Sequence, residues 1–373
     1  MKWLFWGSAS VIFYTYLGYP GWLWLRNFWR RRPIHSAPVT PSLSIVIVLR
    51  DEAKVLEAKL RNLLDLDYPE DRLEVVVVSD GSTDGTNQIL SAYQQHPQVR
   101  VILNPQSQGK AVGLNDAIGA AHGEILVFSD ARQKIERQAL TLLVENFADE
   151  GVGCASGELM LGDPQSGEAA RGMGLYWRIE KKIRELESSS GSVVGATGAL
   201  YAVRRQLLTP LKPGTILDDV YIPMQVARQG ARVVFDSRAR AWDLADQGAS
   251  REFARKVRTL SGNYQLVQLA PWLLTRANPI RFEFVSHKLL RLLSPLALLA
   301  MLVSSAFLRD PGYRLALLLQ AMFYVLSVLA VSHLARGPVA RVADAAFTFV
   351  VLNLAAAVAF AHFVTGRKAV WTR

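Results

Sequence analysis

The chain has 373 residues, half of them hydrophobic, and 42 Lys and Arg against 32 Asp and Glu give it a formal net charge of +10. A mean hydropathy of +0.16 is high for a soluble domain of this size and points to segments in lipid, while 20% charged residues beside that apolar content exclude disorder. One cysteine, Cys154, excludes a disulfide framework and a cysteine-based zinc site, and fits a reducing compartment and a small buried side chain.

Residues 3–25 form an apolar run interrupted only by small and aromatic residues. Its roughly 20 residues are enough to cross a bilayer core. Trp3, Trp6, Trp22, Trp24 and Trp29 cluster near its ends, where indoles favour the headgroup region. Arg26, Arg30, Arg31 and Arg32 come at its end, whereas a cleaved leader carries its charge in front. The pattern predicts a retained helix over 1–29 with the following chain in the cytoplasm.

From residue 42 to about 247 the texture changes. Residues 44–49 are a short β-branched run, the mark of a strand buried on both faces. Val55, Leu56, Leu60, Leu63 and Leu64 follow at helical spacing. Residues 73–78 are a second strand, 80–86 a turn, 87–95 a helix, 99–103 a strand, 111–121 a helix and 124–128 a strand. Such alternation with short links predicts a parallel sheet wrapped by helices, whose ligands sit beyond the carboxyl ends of the strands.

Polar residues gather at those ends. Asp80 can accept hydrogen bonds from a base or ribose, or simply make a good strand-to-helix turn, with Gly81 allowing the sharp bend. Lys110 is a candidate phosphate partner or a solvated charge. Asp130 suits a divalent cation holding a diphosphate, since magnesium and manganese prefer oxygen ligands. Asp218 and Asp219 precede a helical stretch; one of them can be a general base, or Asp219 can favour the helix dipole. The helical stretch 175–187, with Trp177, Glu180 and Glu187, reads as packing or as an approach to an acceptor. His96, His122 and His287 stand apart from acidic neighbours in sequence and suggest no metal ligation.

Residues 271–287 mix Trp272, Leu273, Leu274, Phe282 and Phe284 with Arg276, Arg281 and the adjoining Lys288, which reads as an amphipathic interfacial segment. Three apolar runs follow, 289–308, 315–334 and 342–364, with short links typical of helical hairpins in lipid. A cytoplasmic middle and three further spans place Arg373 outside, yet the tail residues Arg367, Lys368 and Arg373 favour the inside. These two expectations conflict.

Taken together, LSIVIVLRDE (43–52), VVVVSDGSTDGT (75–86), NPQSQGKAVGLNDAIGAAHGEILVFSDA (104–131), VVGATGALYAVRR (193–205) and ILDDVYIPMQVARQGARVVFD (216–236) resemble the membrane-bound family 2 glycosyltransferases. In plan the chain is similar to synthases of hyaluronan, chitin, cellulose and poly-N-acetylglucosamine, and to non-processive enzymes that extend lipid-linked saccharides. The resemblance implies an α/β GT-A (Rossmann-like) catalytic domain over 30–265. A transmembrane helix over 1–29, an interfacial segment over 266–287, transmembrane helices over 288–365 and a tail over 366–373 flank it. It implies an integral protein of the inner (plasma) membrane with its catalytic domain cytoplasmic.

By the same resemblance, Leu49, Asp51 and Glu52 form the first nucleotide-contacting loop and Asp80 reads the uracil or ribose. Lys110 lies near the donor phosphates. Asp130 is the first aspartate of the Asp-x-Asp motif and the ligand of Mg2+ or Mn2+. Gly195, Ala196, Thr197 and Gly198 lie near the acceptor sugar. Asp219 is the catalytic base with Asp218 as its partner. The implied reaction is an inverting single displacement from a nucleotide sugar, a UDP-sugar, carrying a hexosyl or N-acetylhexosaminyl group. The implied partners are a lipid-linked or polysaccharide acceptor, membrane lipids and a second copy of the chain. Nucleic acid is not among them, because the basic residues flank apolar segments, where anionic lipid explains them.

Two positions depart from the family pattern. The second aspartate of Asp-x-Asp is Arg132, whose guanidinium can contact the diphosphate itself. The Gln-x-x-Arg-Trp motif corresponds to Arg255 through Thr259: Arg258 keeps its place on the donor side, while Gln and Trp are replaced by Arg255 and Thr259. The lost tryptophan weighs against long-polymer synthesis. A processive synthase with its own channel and an inactive scaffold of a polysaccharide export complex are the competing expectations.

Overall fold

The computed structural model describes residues 1–162, 175–243, 249–331 and 337–366. Strands β1 (Leu43–Leu49) and β2 (Leu73–Asp80) have almost every side chain buried, as β-branched runs covered on both faces require. Helix α3 (Ala53–Leu64) joins them; α4 (Thr86–Tyr93), β3 (Val99–Asn104), α5 (Lys110–Ala120) and β4 (Ile125–Phe128) continue the alternation. After β4 come β5 (Lys134–Ile135), α6 (Ala139–Val144), β6 (Val152–Leu161), α7 (Leu175–Ser190), β7 (Tyr201–Arg204), α8 (Asp218–Arg228) and β8 (Arg232–Asp243).

The eight strands lie in the order β3-β2-β1-β4-β7-β6-β8-β5. The first four pair in parallel, as the alternation predicts. The remainder corrects the expectation of a wholly parallel sheet. β7 runs antiparallel to both β4 and β6, β8 runs parallel to β6, and β5 closes the edge antiparallel to β8. Strands and helices still alternate from α6 to β8, but β7 is inserted antiparallel between β4 and β6, and only β6 and β8 pair in parallel there.

Alternate residues of β1 serve the two faces. Ile45 and Ile47 pack with Leu56, Leu60 and Leu63 of α3 and Leu140 and Leu143 of α6. Val46 and Val48 pack with Leu114 of α5 and Met224 of α8, in a layer that reaches Leu266, Leu273 and Phe284 near the apolar helices. Cys154 of β6 is fully buried in this second layer.

The N-terminal helix runs as α1 (Lys2–Phe13) and α2 (Tyr19–Trp29), joined by a π-helical turn at Tyr14–Gly18. After β8 come α9 (Ala249–Leu269), α10 (Arg281–Phe284), α11 (Leu290–Phe307), α12 (Pro311–Val331) and α13 (Gly337–Val364). A second π-helical turn, Val285–Leu289, joins α10 to α11 without a break. Among the described residues three helices are long and apolar enough to cross a membrane by length and composition: Arg281–Phe307, Pro311–Ala330 and Val339–Val364. The N-terminal helix, rich in Trp and Tyr, is not among them; it packs along α11. The basic residues of the tail, from 367 onward, lie outside the described residues.

A chain of polar contacts joins α7 to these helices. Arg26 of α2 pairs with Glu283 of α10 and donates to the Ser190 hydroxyl of α7. The Tyr19 hydroxyl donates to Glu187 at 2.6 Å. His287 lies 2.8 Å from both Glu187 and Glu180, and Arg291 lies 2.6 Å from Glu180. These groups are buried or nearly so, where removing one partner of an ion pair costs about 3–5 kcal/mol.

Candidate active site

The loops after β1 and β2 hold each other. Asp51 has a left-handed backbone, with φ of 55°, and its Oδ1 accepts from the Thr83 amide at 2.7 Å. Its own amide donates to the Ser82 hydroxyl, and the Glu52 amide to the Thr86 hydroxyl. Leu49 is buried in the core beside Ser79. Its part in this loop is the backbone that leads to Asp51.

Asp80, at the end of β2, is fully buried. Its carboxylate accepts from the Ser107 hydroxyl at 2.7 Å and from the amides of Gln108 and Gly109 at 2.8 and 2.9 Å. It therefore fixes the loop that begins α5 and carries Lys110. Gly81 makes this possible: its φ is +63°, and a Cβ would stand 2.3 Å from the Ser107 amide nitrogen.

Lys110 opens α5 and bridges two carboxylates, Asp130 Oδ1 at 2.9 Å and Asp218 Oδ1 at 3.2 Å. Burial disfavours its charge, but Asp130 and Asp218 outweigh this and hold its pKa above the ordinary lysine value. Arg132 and Glu52 meet at 3.0 Å, so two sequence candidates from different strand ends form one ion pair. Beneath them lies Lys59, which sequence reasoning passed over. Its ammonium donates to the Ser129 hydroxyl and the Gln133 carbonyl, and burial pushes its pKa down to about 7. The available signal was a lysine within the apolar stripe of α3.

Asp218 and Asp219 form the first turn of α8. Asp219 is pushed up to about 6, by burial first and by the neighbouring charge of Asp218 second. The 195–198 loop wraps this turn. The Ala196 amide donates to the Asp219 carbonyl at 2.7 Å. A methyl on Gly198 would lie 3.2 Å from Asp130 Oδ2 and 3.6 Å from Asp219 Oδ2, so both carboxylates converge over this glycine. The 214–217 segment before Asp218 is braced by α9. Gln265 accepts from the Ile216 amide and donates to the Gly214 carbonyl, and Gly262 packs on Leu217.

Asp219 also borders a cavity of about 180 Å³, together with Glu158, Trp177, Arg184, Gly195 and Lys288. Trp177, Glu180 and Glu187 all line it, so the stretch for which packing was the plainer reading faces this space. His287, apart from acidic residues in sequence, sits between Glu180 and Glu187 in space. Separations of 107 and 100 residues hid that contact. Arg258 of α9 is half-buried and makes no hydrogen bond or ion pair among the described residues, while Arg255 beside it pairs with Asp243 and Glu252.

Among the described residues no three His, Cys, Asp or Glu side chains gather as a metal site. Asp130 is half-exposed and lies beside Lys110, where a diphosphate would bring its own oxygens. One carboxylate with substrate phosphates is a set that magnesium accepts, so the residues fit a cation that arrives with the donor.

The sheet, parallel in its first half and mixed in its second, is that of the GT-A fold. The mannosyltransferase PcManGT from Pyrobaculum calidifontis, solved in complex with GDP-Man and Mn2+, has the same fold, with a TM-score of 0.70 over 95% of this chain and 98% of that one at 23% identity. Residues 44–210, the central part of the chain, match the family model for glycosyl transferase family 2. The beta-monoglucosyldiacylglycerol synthase of Synechocystis sp. is 27% identical over 192 residues, 50% of this chain and 40% of that protein. The poly-beta-1,6-N-acetyl-D-glucosamine synthase of Staphylococcus aureus is 20% identical over 275 residues, 71% of this chain and 63% of that protein. The chain thus spans about half the length of the curated relatives it matches.

Proposed function

We propose that the chain is a membrane-integrated inverting glycosyltransferase, with its catalytic domain on the cytoplasmic side of the plasma membrane. It moves a sugar from a nucleotide sugar, UDP-linked, to a lipid-linked saccharide or a growing polysaccharide. The observation that carries this reading is the position of Asp219. It shares the glycine-lined point at Gly198 with Asp130 and borders the cavity that leads to the apolar helices.

In this reading Asp219 takes the proton of the acceptor hydroxyl. Its raised pKa suits a base working near neutrality. The hydroxyl oxygen attacks the anomeric carbon, and the electron pair of the breaking bond goes to the diphosphate. Lys110 and Arg132 neutralise the charge that develops there. Asp80 serves the donor by fixing the 107–109 loop and with it Lys110. Asp130 is the residue that would hold Mg2+ or Mn2+, which when bound supplies further charge stabilisation to the diphosphate. Gly195 to Gly198 shape the acceptor side.

Asp219→Asn tests the assignment. Transfer is expected to fall by about 10²–10⁴, while calorimetric affinity for the donor nucleotide persists. Retained turnover assigns the base to another carboxylate.

A further inference from the structure

The charged groups lining the cavity beside Asp219 are unevenly paired. Its other acids are answered: Glu158 by Lys181 at 2.9 Å, Glu180 by Arg291 and His287, Glu187 by His287 and the Tyr19 hydroxyl. Two of its cations are not. Among the described residues Arg184 forms no ion pair; it donates to the Ser156 hydroxyl at 2.8 Å and lies 4.6 Å over the Phe235 ring. Lys288, in the Val285–Leu289 turn within the apolar helix Arg281–Phe307, forms neither an ion pair nor a hydrogen bond among them. Both are half-buried, and burial holds the Arg184 guanidinium below its ordinary pKa. Carboxylates act on both at longer range, Glu180, Glu187, Asp219 and Glu158 on Arg184, and Glu180 and Asp219 on Lys288. A half-buried cation with no carboxylate in contact still keeps donors for an incoming anion, and a guanidinium beside an ammonium suits an oxyanion.

Asp219 faces the same cavity, and its own carboxylate would repel an anion placed against it. An anionic group therefore settles on the two cations, with a neutral hydroxyl toward Asp219. Lys288 lies in the Val285–Leu289 turn, in the first third of the apolar helix Arg281–Phe307, so this end of the cavity is walled by a helix long and apolar enough to cross a membrane.

We propose that the acceptor carries an oxyanion, a phosphate or a carboxylate, seated on Arg184 and Lys288 while its reacting hydroxyl faces Asp219. This deepens the glycosyltransferase reading and rests on Asp219 as its base. An uncharged acceptor would leave both cations unanswered.

The test uses the full chain in a neutral detergent and three short amphiphiles of equal tail: hexyl phosphate, hexyl glucuronide and hexyl glucoside. Calorimetry is expected to give at least one of the two anions an affinity about tenfold or more above the glucoside. Arg184→Gln with Lys288→Gln is expected to abolish the preference, and Arg184→Lys with Lys288→Arg to retain it. A lead for hexyl phosphate identifies a lipid phosphate as the source; a lead for the glucuronide identifies an acidic sugar. Equal affinity for both anions supports the shared oxyanion chemistry. No preference in the wild type, or a preference that survives the double glutamine variant, overturns the proposal. Binding of UDP and GDP is titrated on the same samples. Nucleotide binding without anion preference removes only this inference, and nucleotide binding that survives in the glutamine variant shows that its donor half has folded. Absence of nucleotide binding in the wild type removes the glycosyltransferase reading beneath it.

Discussion

On one side of Asp219 the polar groups come from the ends of adjacent parallel strands: Asp51, Asp80, Lys110, Asp130. On the other side they come from α7, the 195–198 loop and the start of an apolar helix, brought together across the junction with α2. The first side is stiff because each carboxylate is used by a neighbouring loop, Asp51 by Thr83 and Asp80 by the 107–109 segment. The second is held by buried ion pairs but, among the described residues, keeps two cations without a carboxylate in contact. A nucleotide is a constant ligand and suits a prebuilt edge; an acceptor varies between enzymes and is recognised by side chains outside the shared strand ends.

This contrast can be broken in stages. Lys110→Met removes the cation between Asp130 and Asp218, and turnover is expected to drop by about 10²–10³; steady-state rates near wild type would take Lys110 out of the donor side. Arg26→Met leaves Glu283 buried without its partner and is expected to destabilise the junction by about 3–5 kcal/mol. Thermal unfolding in detergent measures it, and nucleotide affinity at low temperature is expected to stay unchanged. Asp80→Ala frees the loop that carries Lys110, and donor nucleotide binding is expected to weaken about tenfold or more for the three hydrogen bonds lost; unchanged affinity would detach this loop from the donor.

The pH dependence sharpens the contrast further. Asp219 must be ionised to act as base, so transfer is expected to rise with pH through about 6. Asp218→Asn removes a negative neighbour that raises this pKa, and the acid limb of the rate profile is expected to move to lower pH. A limb that does not move would mean that burial alone sets it. The smallest effect is expected at Arg132. Arg132→Ala is expected to weaken diphosphate binding several-fold in the absence of Mg2+. Normal affinity with complete metal dependence in that variant would end its proposed role.

The cluster at the parallel strand ends was legible because strand period and turn chemistry act over a few residues: SIVIVL, VVVVSDG and FSDA mark strand ends without help from the rest of the chain. The mixed half of the sheet was not, since β7 is only four residues long and its direction depends on neighbours far away in sequence. Lys59 was hidden because its burial depends on the 129–133 loop folding over it. The Arg184–Lys288 cavity was hidden for a similar reason, its two cations standing on α7 and in the π-helical turn of an apolar helix far along the chain. Trp177 and Glu187 carried no local signal that separates a packed helix from a cavity wall.

The central claim, a glycosyl transfer centred on Asp219, is tested most directly by measuring nucleoside diphosphate release from the detergent-purified chain. A panel of UDP- and GDP-sugars is offered with and without Mg2+ or Mn2+, and membrane lipid extract supplies the acceptor. The account predicts release from one donor, dependent on the extract and lost in Asp219→Asn. Silence across the panel, with no nucleotide binding by calorimetry, would contradict it and favour an inactive scaffold whose altered Asp-x-Asp motif, with Arg132, marks the loss of chemistry.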